Sequence, residues 1–133
     1  MTNHEDTRHI RDESDVPPVI EKQGWRYHHL GIPTHEKRPG EQYIAPLKMY
    51  VSGFSTSPYG IEWMRFEPDS PVSDLVKRVP HIAFQVDDLE EALKGKKLLS
   101  PISSPSPGIR VAMIVDDDAP VELLEIRPRP DNS

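Results

Sequence analysis

Hydrophobic positions in this chain come in short runs punctuated by proline and glycine, and most alternate with polar residues. The runs suit strands better than helices. Trp25 to Ile32, rich in aromatic and β-branched residues, reads as a strand that Pro33 ends. Thr34 to Pro46 reads as a polar loop with a turn at Pro39-Gly40. Leu47–Phe54 and Ile61–Phe66 read as two further strands joined by a turn from Ser55 to Gly60. Pro68 to Lys77 is a connection with one helical turn at Ser73–Val76. The second half opens with a strand from His81 to Val86. Asp87 is the expected N-cap of a short helix, with Glu90 three residues on. Leu89, Ala92 and Leu93 give that helix an apolar face, and Gly95 is its C′ residue. A weakly patterned strand is expected over Lys96–Ile102, then an edge or loop through Pro101, Pro105 and Pro107. Ile109–Val115 and Val121–Ile126 complete the strands around an acidic turn, Asp116–Asp118.

Alternation carries chemical information. His81, Ala83 and Gln85 share one face of their strand; Ile82, Phe84 and Val86 share the other and should pack under the helix. By the same parity His29 and Gly31 oppose His28, Leu30 and Ile32. His29 and His81 are thereby left on a concave face, and His28 reads as structural. The two halves also rhyme. His29-Leu30-Gly31-Ile32 is answered by His81-Ile82-Ala83-Phe84, and Gly60-Ile61-Glu62-Trp63-Met64 by Pro120-Val121-Glu122-Leu123-Leu124. Each half thus has a histidine opening a strand and a glutamate second in a later strand. The spacing suggests a duplicated unit of about 50 residues.

Two histidines and two glutamates, His29, Glu62, His81 and Glu122, form a donor set suited to Zn, Ni, Mn, Co or Fe, with positions left for two oxygens of a substrate. Glu125 has the parity of Val121 and Leu123 and is expected at the strand end in water. His35 lies in a loop, and Trp25 and Trp63 read as core or interface anchors. Asp116–Asp118 lacks the spaced oxygens of a calcium loop and reads as a polar turn.

Composition narrows the rest. The chain has 133 residues, a one-domain length, with 15 prolines, 7 glycines and no cysteine. Disulfide and thiolate chemistry are therefore excluded. A net charge of −6 argues against nucleic acid as a partner. No long apolar run or signal-peptide core appears, so no membrane partner is expected and the cytoplasm is the expected compartment. Residues 1–24, charged and proline-bearing, read as an N-terminal arm. Their His4 and His9 are expected to be solvated. Residues 129–133 read as a polar tail. No glycine-rich phosphate loop or nucleophile elbow is present.

At His29–Ile32, Pro80–Leu89 and Arg110–Ile126 the sequence resembles the vicinal oxygen chelate superfamily, the glyoxalase/bleomycin-resistance/dioxygenase fold. The likeness runs from Trp25 to Arg127, within a domain expected over residues 25–128. It implies an α+β fold of two βαβββ-type modules forming a cup-shaped mixed sheet. The first module is shortened, with no helix between Pro33 and Leu47 and two strands after it. The resemblance puts metal ligands at His29, Glu62, His81 and Glu122, and a homodimer is the implied assembly. The expected activity is that of a metal-dependent lyase or isomerase acting on a small hydroxy-carbonyl substrate. The metal would stabilise an enediolate as a Lewis acid, and Glu122 or Glu62 would take the proton. Fe(II) oxygenation is disfavoured by a fourth ligand at Glu62. The rival is a metal-free small-molecule or antibiotic binding protein of the bleomycin-resistance type.

Overall fold

A computed structural model describes residues 12–127. His4, His9 and the tail from residue 128 lie outside the described residues. Eight strands form one mixed sheet: β1 (Arg26–Pro33), β2 (Gln42–Ile44), β3 (Met49–Ser52), β4 (Ile61–Phe66), β5 (His81–Gln85), β6 (Ser103–Ser106), β7 (Ile109–Asp116) and β8 (Ala119–Ile126). Three short helices accompany them: α1 (Pro18–Glu21), α2 (Asp74–Arg78) and α3 (Leu89–Leu93).

The strand order is β2-β3-β4-β1-β5-β8-β7-β6. Its left half mirrors its right. β1 pairs in parallel with β4 as β5 does with β8, and the halves meet where β1 runs antiparallel to β5. The duplication read from the sequence is thus a duplication of topology, curled into a nearly closed cup. The first module lacks a helix between β1 and β2, as expected, but it has three strands after β1 rather than two. The extra one, β2, is three residues long and is followed by a 3-10 turn at Ala45–Leu47. It pairs with β3 through Tyr43↔Tyr50.

The convex side of the second module is the main core. Phe84, Val86, Leu89, Ala92, Ile114 and Leu123 cluster there, with Ile82, Leu93 and Val121 packed against them. The parity of β5 and the 3-and-4 spacing of α3 therefore meet as expected. Leu89 is fully buried, a burial that stabilises by about 1.5–3 kcal/mol. Trp25 joins this cluster, tilted on Phe84 with ring centroids 5.8 Å apart. Val19 of α1 also packs against it, and the Val19 carbonyl accepts from the Trp25 amide at 2.9 Å.

Several local expectations are corrected. The N-cap of α3 is Asp88, whose carboxylate accepts from the Glu91 amide at 3.1 Å. Asp87 pairs instead with Arg26 at 3.0 Å, and Glu90 with Arg110. Glu125 is not in water. It is 1% exposed and accepts from the Leu89 amide at 2.9 Å, the first turn of α3, with Arg127 also 2.9 Å away. Lys96–Ile102 forms no strand beyond a lone pairing of Leu98 with Ile114; the edge strand comes later, at β6. Other readings hold. The helical turn expected at Ser73–Val76 is α2, which starts one residue later with Ser73 as its cap, accepting from the Val76 amide, and Gly95 follows the C-cap of α3 at φ 72°. Asp117 and Asp118 both take left-handed conformations in the two-residue β7–β8 turn, as a tight hairpin requires. Among the described residues no helix is long and apolar enough to cross a membrane.

Candidate metal centre

Two rows of residues run across the floor of the cup where the modules meet. In one, Glu62 of β4, Gly31 of β1 and His81 of β5 are in register. In the next, His29 of β1, Ala83 of β5 and Glu122 of β8 are in register. Partners in register point to the same side of a sheet. Each row therefore holds a donor at either end and a small residue between, and the donors lean inward over it. Gly31 makes the space literal. A Cβ built on it would lie 2.2 Å from His81 Cε1 and 2.7 Å from both ring nitrogens.

The donors converge. His81 Nε2 lies 2.8 Å from Glu122 Oε1, and His29 Nε2 lies 3.4 Å from the same oxygen. Two ligands each about 2.1 Å from one ion are separated by roughly 3–3.4 Å. His29, His81 and Glu122 each offer an atom within 4.8 Å of the others. Glu62 comes within 3.5 Å of His29 Nε2 but falls outside that group of three. His29 is 4% exposed and His81 1%.

The residues fit a divalent cation. His29 Nε2 is buried and makes no hydrogen bond, although two carboxylates flank it. A buried nitrogen left without a partner is unfavourable, and an ion held by His29, His81 and Glu122 would satisfy it.

The electrostatics separate the two glutamates. Burial raises the Glu62 carboxyl above its ordinary value, and the pull of His29 does not fully offset this. Burial acts on Glu122 in the same direction, but the attraction of His29 and His81 wins and draws it down to about 2. Burial disfavours the charged form of His29, yet the attraction of Glu122 and Glu62 outweighs it and the pKa rises. Glu122 is thus a persistent anion and Glu62 a carboxylate more ready to hold a proton.

One residue of the site escapes the alternation rule. The β1–β5 register slips between Tyr27 and His29, so His28 is the extra residue of a β-bulge. It lines the cavity rather than the core-packed face expected of it. Its Nδ1 sits 2.8 Å from His29 Nδ1, and its ring stacks on Phe54 at 5.0 Å and 13°. One of the two touching nitrogens must donate and the other accept. Burial and the neighbouring His29 lower the pKa of His28. His35 lies exposed in the β1–β2 loop, as expected, away from this cavity.

A second acidic group, Asp88, Glu90 and Glu125, surrounds the start of α3. Arg110 and Arg127 pair with it, and Glu125 serves the helix N-terminus.

No family model matches the sequence, and no curated protein does. Solved structures do match. One is a hypothetical protein of Bacillus halodurans C-125, at 18% identity and a TM-score of 0.61, over 81% of this chain and 99% of that one. Another is methylmalonyl-CoA epimerase from Mycobacterium tuberculosis, at 20% identity and a TM-score of 0.54, over 77% of this chain and 89% of that one. At these identities the likeness is one of fold.

Proposed function

We propose that the protein is a metal-dependent lyase or isomerase of glyoxalase type within the vicinal oxygen chelate superfamily. Its substrate would be a small molecule with neighbouring hydroxyl and carbonyl oxygens. The observation that carries this reading is the convergence of His29, His81 and Glu122 around the unpartnered His29 Nε2. The fold shared with an epimerase is consistent with it. A bound divalent ion would supply Lewis-acid polarisation of the substrate oxygens.

The chain's own groups have separable parts. Glu122, held as an anion by two imidazoles, is suited to ligation and ill suited to taking a proton. Glu62, with its raised pKa and its place beside His29, is the base that takes a proton from the carbon α to the carbonyl and returns it to the same or the adjacent carbon. His28 fixes the ring of His29 through the shared Nδ1 contact.

Elemental analysis of protein purified without chelator tests the reading, with about one divalent ion per chain expected. Protein that stays empty after incubation with Zn, Mn, Ni, Co and Fe(II) would leave the metal-free binding role as the better account; the largely apolar cavity over the cluster favours that role. The three-donor group, with Glu62 outside it, also matches the two-histidine, one-carboxylate set of Fe(II) oxygenases. Oxygen uptake by the Fe(II)-loaded protein separates that chemistry from proton transfer.

A further inference from the structure

The cavity above the donor cluster has a volume of about 440 Å³, within the range of roughly 300–1,000 Å³ found for small-molecule sites. Its wall is unusual in charge. Among the described residues no lysine or arginine lines it, whereas Glu62 and Glu122 both do. Apart from an ion held by the donor cluster, whose open positions the substrate's oxygen pair would take, no cation would meet a phosphate or carboxylate on the ligand's body, and desolvating that charge is strongly unfavourable.

The wall is also deformable. The chain has four methionines, and the three beyond Met1, namely Met49, Met64 and Met113, all line this cavity. Their unbranched thioethers adapt to irregular apolar shapes and make favourable contacts with aromatic rings. Phe54 adds a ring at the rim. It is 40% exposed and rests one face on His28, which leaves much of the ring open to a ligand.

From these features, and resting on the metal reading above, we propose that the substrate is an uncharged molecule with an apolar, aromatic body. Its vicinal oxygen pair reaches the His29–His81–Glu122 end, and its body lies among the methionines and Phe54. Sugar phosphates, small enough that their charge must enter the cavity, are disfavoured as substrates by the same wall.

Calorimetric titration of the full chain, zinc-loaded and zinc-free, tests this with two probes. α-Hydroxyacetophenone and dihydroxyacetone phosphate present the same hydroxy-carbonyl pair on a neutral aromatic body and on a charged one. The zinc-loaded protein should bind α-hydroxyacetophenone at least tenfold more tightly. Phe54→Ala, titrated with zinc at saturation, should weaken that binding at least fivefold. Ile102→Lys, at a cavity residue that is 41% exposed and so tolerant of change, should shift preference toward the phosphate. Equal or tighter binding of dihydroxyacetone phosphate by the unaltered protein overturns the proposal, as does indifference to Phe54→Ala. Failure to take up zinc is a separate result that removes the metal reading. If the protein takes up no zinc, a preference for the aromatic probe upholds the apolar ligand class, and binding of neither probe overturns it.

Discussion

Replacing Gly31 by alanine isolates the packing that shapes the proposed centre. The added Cβ would sit 2.2 Å from His81 Cε1 and 2.7 Å from Nδ1 and Nε2, where carbon atoms prefer about 3.5–4 Å. The ring must therefore move by more than 1 Å, roughly, or β1 and β5 must part. Gly31 does not adopt a positive φ, so the backbone accepts alanine, and alanine in a strand is by itself favoured over glycine by about 0.5–1 kcal/mol. Any loss is thus the clash. Overpacking of this kind costs about 1–3 kcal/mol. A displaced imidazole also exceeds the tolerance of about 0.2 Å that a metal site allows, so zinc affinity should drop by at least tenfold. Urea denaturation and zinc titration of Gly31→Ala, His81→Ala and the double variant form a cycle. With the ring removed, Gly31→Ala should become neutral or stabilising. Zinc affinity within threefold of the unaltered protein, with stability unchanged, would refute the claim that Gly31 exists to make room for His81.

Other expectations follow from the same geometry. His81→Ala and Glu122→Gln should abolish zinc binding by calorimetry, while Glu62→Gln weakens it less and, if the protein is an enzyme, removes turnover. Zinc affinity should fall as the pH drops below the raised pKa of His29, by about tenfold per pH unit for the one proton that must leave; a flat profile between pH 6 and 8, roughly, would contradict the assignment of His29. In chelator-treated protein, the depressed Glu122 contributes stability that is present above its ordinary 4.5 and lost as the pH falls toward about 2. The raised His29 contributes stability that is complete below 6.5 and lost as the pH rises through its folded value. Thermal melts should therefore show an acid limb that Glu122→Gln flattens. Removing residues 1–24 should leave zinc affinity within about threefold yet lower Tm, because Val19 packs on the core.

Much of the centre was legible because both its periodicities are local. Strand alternation separates His81 from Ile82, and the small residue two places after each histidine, Gly31 or Ala83, lies between donors in the folded rows. The rhyme between halves then carries Glu62 and Glu122 to matching strands. What stayed hidden depends on partners distant in sequence. β2 is three residues long and β6 is Ser-Ser-Pro-Ser; neither has a pattern of its own, and each is a strand only because β3 or β7 supplies a ladder. Glu125 looked like an exposed strand-end residue because the sequence does not show that the first turn of α3 comes to rest above it.

His28 is the instructive miss. Alternation assigns adjacent residues to opposite faces, so a pair of histidines reads as one functional and one structural. A bulge inserts one residue into the register and places both on the same side. The consequence is chemical as well as geometric. Across the bulge the two Nδ1 atoms meet at 2.8 Å, one donating and the other accepting, and Nε2 of His29 faces the space it shares with the two glutamates, where its lone pair would be available to an ion. Bulges concentrate where a side chain must be re-aimed, and here the re-aimed residue is the one that orients a candidate ligand.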